Sequence, residues 1–510
     1  MPISYRHAAL LKLPVLGLAL ICLLAGTSRP VLAQNNCGVI DPAQLPDFAM
    51  DAIIDAHRVH FCNTVNGRVP CASLEHGSQK TPTNITKLDV DGDASGQVAT
   101  FQPGGPTSTT NAFFQNLGTN GRTCFTCHQP QDGWTVSAAS AGARFQASAG
   151  NDPLFRLVDG ATCPTADIST PAAKQKAYKL LIEKGLIRIG LPLPPAPKLE
   201  FTVSVDDPYG CTTNPATGLV SKTTGIVSVY RRPLPATNLG FLTAIMWDGR
   251  EPNLASQAVD ATLIHAQAQC VPSAGQQADI VAFESGVFTA QIFDSNAGPL
   301  HADKATGGPV SLSQQLAKFF VGVNDPIADP SFTPKIFDLY KPWLSAETEY
   351  RKSVARGEEV FNTTKINITG VAGLNDALGL LNISGFCGTC HDTPDVGNHS
   401  VKAPLNIGVA GAGKDSPPAL DISGLPVFHL QCPTGEILVT DPGRALITGK
   451  CADIGKVKGP ILRGLAARAP YFHNGSAATL LDVVNFYNQR FSIGFSDQQK
   501  NDLVNFLKTL

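Results

Sequence analysis

Two pentapeptides constrain this chain more than any other feature: Cys124-Phe125-Thr126-Cys127-His128 and Cys387-Gly388-Thr389-Cys390-His391. In each, two thiols three positions apart can reach the vinyl groups on one edge of a porphyrin. The adjoining histidine then swings beneath the iron as its proximal ligand. The competing use of paired cysteines is a structural zinc site, whose two pairs normally stand about 15–20 residues apart. Here 259 residues lie between Cys127 and Cys387. The motifs therefore point to two covalently bound haem c groups, the first on Cys124, Cys127 and His128, the second on Cys387, Cys390 and His391.

Covalent haem of this kind belongs outside the cytoplasm, and the first 33 residues read as a cleavable signal peptide. Arg6 and Lys12 give a positive start, Leu13 to Ala25 is apolar but short for a bilayer, and Val31-Leu32-Ala33 offers a small-residue cleavage pattern. No later segment reaches membrane-spanning length, so a periplasmic chain without a membrane span after processing is expected. In that compartment Cys37, Cys62, Cys71, Cys163, Cys211, Cys270, Cys432 and Cys451 can supply up to four disulfides, with Cys432–Cys451 the favoured local pair. The balance of 39 basic against 41 acidic residues provides no basic field for nucleic acid.

At 510 residues the chain has room for two or three packed domains. Residues 34–115, rich in Asn, Thr, Gly and Asp, read as a loop-rich N-terminal extension. Residues 116–340 form a first haem domain, with a helical stretch at Ala172–Lys184 and an alternating, strand-like run from Phe201 to Val205. A proline-rich linker over Asp325–Tyr340 leads to a second cytochrome c domain at 341–510. There a helix is expected from Glu347 to Phe361, and two more follow N-capping patterns at Thr479/Asp482 and Ser496/Gln499. The fold class expected is mainly α, two cytochrome c-like haem domains with long loops.

The far face of each iron decides what the haems do. A Met ligand makes an electron-transfer haem, but the three Met are Met1, Met50 and Met246, none in the C-terminal domain. The candidates there are His399, His429, His473 and Tyr487.

Ala469-Pro470-Tyr471-Phe472-His473-Asn474-Gly475-Ser476, with the helix to Tyr487, and Met246-Trp247-Asp248-Gly249-Arg250, with Leu254 and Gln257 after it, resemble signatures of the bacterial di-haem cytochrome c peroxidases. With both haem motifs, the resemblance covers roughly residues 116–300 and 345–510. It implies hydrogen peroxide as substrate at the first haem, and a small periplasmic electron donor, a cytochrome c or cupredoxin, serving the second. Tyr487 falls where the family places the second haem's axial Met. A Tyr there is similar to the relatives that mature the cofactor of methylamine dehydrogenase. Trp247 matches the residue between the haems, and Gln257 a distal glutamine of the peroxidatic haem.

This sequence also departs from the family pattern. Gln267 stands where the family has a catalytic acid, and His265 nearby is the candidate to replace it. Arg232 stands at an Asn ligand of the family's interdomain calcium, which makes that ion doubtful here. Arg231, Arg232, Arg250, Arg463 and Arg468 are candidate partners for haem propionates. No His lies between His128 and His265 to cap the first iron. Two other readings stay open: a di-haem electron carrier without enzymatic activity, and a di-haem oxygenase related to rubber-cleaving enzymes.

Overall fold

A computed structural model describes residues 84–510. The expected leader, most of the N-terminal extension, and Cys37, Cys62 and Cys71 lie outside the described residues. The fold is not mainly α: among the described residues helix accounts for 31% and strand for 17%. The reason lies in short segments whose partners are far away in sequence. Leu88–Gly92 and Gly96–Phe101, inside the stretch expected to be loop, form a hairpin closed by Asp93, whose Oδ1 accepts from the backbone N–H groups of Ser95 and Gly96. Phe288–Asp294 then pairs with the second strand of this hairpin, giving a four-stranded antiparallel sheet with Gly298–Pro299 at its edge.

A second sheet joins the two halves of the chain. Thr202–Asp206, the expected strand, pairs antiparallel with Val427–Cys432, which pairs in turn with Gly435–Val439. Phe428 and Leu430 point from it into the largest core, where they meet Val227, Val229, Phe155 and Tyr178. The Cys432–Cys451 bond closes the loop after this hairpin, and a Cys163–Cys211 bond ties down the first half. A third, two-stranded sheet, Ile187–Pro192 with Ile226–Arg231, delivers Arg231 and Arg232 to the centre of the molecule.

The helices expected from local signals occur where those signals placed them. Ala172–Lys184 is two helices, Pro171–Ala177 and Lys179–Lys184, broken at Tyr178. Glu349–Thr363 packs on the last helix, Asp497–Lys508, at Gly357, where an added Cβ would lie 2.0 Å from the Asp502 carbonyl. Two polar side chains of Glu349–Thr363 fasten the proline-rich segment: Glu358 Oε2 accepts from the N–H groups of Leu339 and Tyr340, and Asn362 Oδ1 from those of Ile336 and Phe337. Leu480–Arg490, capped by Thr479 and Asp482, carries Tyr487 inward. Among the described residues no helix is long and apolar enough to cross a membrane.

Candidate functional site

The two cysteine pairs sit in nearly identical local structures. Thr126 Oγ1 accepts from the Thr123 N–H at 3.0 Å, and Thr389 Oγ1 from the Phe386 N–H at 2.9 Å, so the third residue of each motif caps the turn that presents the thiols. His128 Nδ1 lies 2.8 Å from the Trp134 carbonyl and His391 Nδ1 2.7 Å from that of Gly397. Each ring thereby donates its Nδ1–H and keeps Nε2 as a free base, the tautomer a metal ligand needs. Burial favours the same neutral form and pushes His128 down to about 4.

None of the four motif cysteines is in a disulfide, although two disulfides form elsewhere. Burial keeps them protonated, with Cys387 and Cys390 pushed up to about 12. Two thiols and one oriented imidazole on the wall of an apolar cavity fit a thioether-bound haem. Both terminal nitrogens of buried Arg463 lack a hydrogen-bond partner, as does Arg232 Nη1. Neither Arg463 nor Arg232 is among the residues that line the two cavities, so neither is placed against a ligand there.

The cavity at the second motif is lined by Cys387, Cys390 and His391 together with Trp247, His473 and Tyr487. The rest of its wall is largely aliphatic and aromatic, from Ile366 and Leu405 to Phe491 and Leu507. The Tyr487 hydroxyl has no hydrogen-bond partner among the described residues, and burial beside the two thiols raises its pKa. His399 also lines the cavity; its Nδ1 faces Asp392 at 3.3 Å without hydrogen-bond geometry. His473 Nε2 stands 3.6 Å from Asp441, and burial lowers its pKa to about 4. His429 is elsewhere, on the middle strand of the three-stranded sheet, between Asp206 and Glu436, each at 2.9 Å.

The first cavity contains His128, Met246, Leu254, Gln257, Glu284 and Arg468. Gln257 comes from the helix Leu254–Ile264, started by Asn253, whose Oδ1 accepts from the Ser256 N–H. His265, at the end of that helix, is not among the lining residues. Its Nδ1 is 2.7 Å from Asp159, which also takes both contacts from Arg122 Nη1 at 2.7 Å. Burial opposes ionisation of Asp159, but Arg122 and His265 hold it down to about 2. The backbone carbonyl of His265 is held as well, by Asn120 and Arg122. Gln267 turns away to Asn120, 3.3 Å from its side-chain amide.

Trp247 lies in the wall between the two cavities. Its indole N–H donates to the Arg232 carbonyl at 2.8 Å, its own carbonyl accepts from the Lys458 N–H at 2.8 Å, and its ring centroid is 6.0 Å from that of His473. Met246, beside it, faces the first cavity while Trp247 faces the second; Lys458 and Pro460 line both. Arg231 braces this wall from behind, bonded to Asp441 at 2.6 and 2.9 Å and to Asp248 at 2.5 Å, all three fully buried. Arg231 and Arg250 are thus committed to carboxylates of the chain. No group of three or more metal-binding side chains occurs among the described residues.

Sequence reasoning missed Glu284 and Lys458. Lys458 is buried with its ammonium on the Ala244 carbonyl, and burial lowers it to about 7. For Glu284 the signal was present: it follows Ile280 and Phe283 at helical spacing on an apolar face.

Two Cys-X-X-Cys-His turns, each presenting an oriented imidazole to a cavity, define the class, a c-type cytochrome. Residues 457–493 match the family model described as RoxA-like, cytochrome c-like. The cytochrome c peroxidase of Escherichia coli is 26% identical over 244 residues, 45% of this chain and 46% of its own. The cytochrome c551 peroxidase of Nitrosomonas europaea is 25% identical over 251 residues, 42% of this chain and 66% of its own. A cytochrome-c peroxidase of Denitromonas iodatirespirans, IdrP2, is 42% identical over 78 residues, 14% of this chain and 21% of its own. A solved structure of a MauG-like protein associated with microbial copper homeostasis is 18% identical, with a TM-score of 0.29, over 58% of this chain and 79% of that one. The chain spans from about a fifth to two thirds of the length of these curated relatives. Over these stretches the chain is similar to bacterial cytochrome c peroxidases, and that similarity together with the Cys-X-X-Cys-His turns implies haem c as cofactor.

Proposed function

We propose that this protein is a periplasmic di-haem oxidoreductase that reduces hydrogen peroxide at the first cavity with electrons passed through the second. The observation that carries the reading is the Met246–Trp247 wall, which stands between two cavities each lined by the histidine of a Cys-X-X-Cys-His turn. When bound, the two irons supply one-electron redox chemistry and a coordination site for peroxide. His128 and His391 would hold the irons, and Tyr487, whose hydroxyl has no hydrogen-bond partner among the described residues, would be a further iron ligand in the second cavity. Gln257 orients peroxide, and Trp247 relays electrons between the cavities. His265 acts as a positioning residue: fixed to Asp159, it anchors the end of the helix that carries Gln257. The overall reaction takes H2O2, two protons and two electrons to two waters, the electrons coming from a small cytochrome c or cupredoxin.

The sequence places the first haem domain at 116–340 and the second at 341–510, behind a cleaved leader, and we retain that division in the proposal. In place of the family's calcium, the buried guanidinium of Arg232 beside Arg468 supplies positive charge. His128 is the one histidine that lines the first cavity among the described residues, which favours an open iron over the carrier reading. The test is to mature the chain with covalent haem, confirm two attachments by mass, and record electron paramagnetic resonance before and after one equivalent of peroxide. A high-spin signal that peroxide removes is expected. Two low-spin irons indifferent to peroxide would overturn the proposal.

A further inference from the structure

Reducing peroxide requires a proton at the departing oxygen, and the cavity at His128 contains one carboxyl able to give it. Glu284 sits on the helix Ala274–Gly286, started by Ser273 and Gln276. Its neighbour Phe283 locks the helix into the aromatic core, 4.6 Å from the Phe113 ring and 5.2 Å from that of Trp134. Glu284 is therefore held in place by packing. It is 5% exposed, it lines the cavity with His128 and Gln257, and its Oε2 has no hydrogen-bond partner.

No ion pair involves Glu284 among the described residues. The other titratable groups on the cavity wall are His128, Lys458 and Arg468. Of these, His128 is turned to Trp134, Lys458 donates to the Ala244 carbonyl, and Arg468 donates to the Gly464 and Ile461 carbonyls. The thiol of Cys124 is the further titratable group close enough to interact with Glu284. Burial alone moves the carboxyl, up to about 8, so near neutral pH it is a protonated acid. A carboxyl without partners in such a place costs stability that a Leu or Met would not, and a functional role explains why it is there.

We propose that Glu284 is the general acid of the first cavity, the group that protonates the departing oxygen of peroxide. This rests on the peroxidase reading above. In the step the O–O bond breaks, the carboxyl proton goes to the departing OH, and that oxygen leaves as water. The carboxylate recovers a proton from solvent. The remaining OH takes up two electrons from the cytochrome or cupredoxin donor and one proton, and leaves as the second water.

The test compares holoprotein carrying both haems with its Glu284→Gln and Glu284→Asp variants. Unchanged haem mass and unchanged second-haem spectrum certify that each variant folds. Infrared difference spectroscopy should show a protonated carboxyl band that disappears in Glu284→Gln. In stopped flow, the wild-type rate with peroxide should fall as pH rises through about 8. The Gln variant should be slower by about 10²–10⁴-fold and flat over that range, with partial recovery in the Asp variant. If the wild type reacts with peroxide but Glu284→Gln keeps its rate and pH profile, the assignment of Glu284 fails alone. If the wild type does not react with peroxide at all, the peroxidase reading fails and takes this role with it.

Discussion

Replacing Arg231 by Met should show how much of the wall between the cavities depends on one buried cation. Arg231 is enclosed with Asp441 and Asp248, and removing it strands two carboxylates where water does not reach. Breaking such a pair from one side costs about 3–5 kcal/mol, because the surviving charge stays buried without compensation. Asp248 retains Arg250 at 3.0 Å, so most of the loss falls on Asp441. The pH dependence gives the test its sign. In the wild type, burial opposes ionisation of both groups. Arg250 and Arg231 nevertheless hold Asp248 down to about 2, and Arg231 holds Asp441 below 3.8. Their contribution is complete above pH 3.8 and is lost as pH falls through about 2. In the variant the Asp441 carboxyl, left without its guanidinium, has a folded pKa raised by burial, so lowering the pH relieves the strain. Denaturant unfolding of the two holoproteins from pH 7 to pH 3 should give a gap that is widest at neutral pH and closes below about pH 4, with m unchanged. A loss under about 1 kcal/mol at pH 7, or one that ignores pH, would refute the argument.

Gly357→Ala should destabilise the protein by about 1–3 kcal/mol, since a Cβ 2.0 Å from the Asp502 carbonyl outweighs the roughly 1 kcal/mol that Ala gains in a helix; a raised thermal midpoint would contradict this. Tyr487→Phe should change the optical spectrum of the second haem and leave the first as it was, and an unaltered spectrum removes Tyr487 as a ligand. Trp247→Phe should leave both spectra in place while slowing electron transfer between the haems, read by flash photolysis or stopped flow; an unchanged rate would end the relay role.

What could be read from the sequence was what is local. The caps at Thr479 and Ser496 declared their helices because a hydroxyl and a side chain three residues on complete the hydrogen bonds within one turn. The haem-attachment turns were legible for the same reason. The sheets were not: Thr202–Asp206 finds its partner more than 200 residues later, at Val427–Cys432, and no local pattern carries that pairing. The strands at 88–101 were hidden by polar residues, since the exposed face of an antiparallel sheet looks like loop in composition. His265 was chosen because it lies two residues from Gln267, where the family has its acid, but the buried Arg122–Asp159 pair claims its ring. Glu284 was passed over because a carboxylate in sequence reads as a solvated residue until packing buries it.

The segment Val457–Ile461 lies against both cavities, with Lys458 and Pro460 common to them and its backbone tied to Trp247 and to Leu405. With the two proposed haems in these cavities, one shared partition couples their midpoint potentials. Whatever free energy the partition gains or loses when one centre changes charge, the other must register in equal measure. A substitution within these five residues should therefore move both potentials in a single titration, so the two centres cannot be tuned independently at this partition.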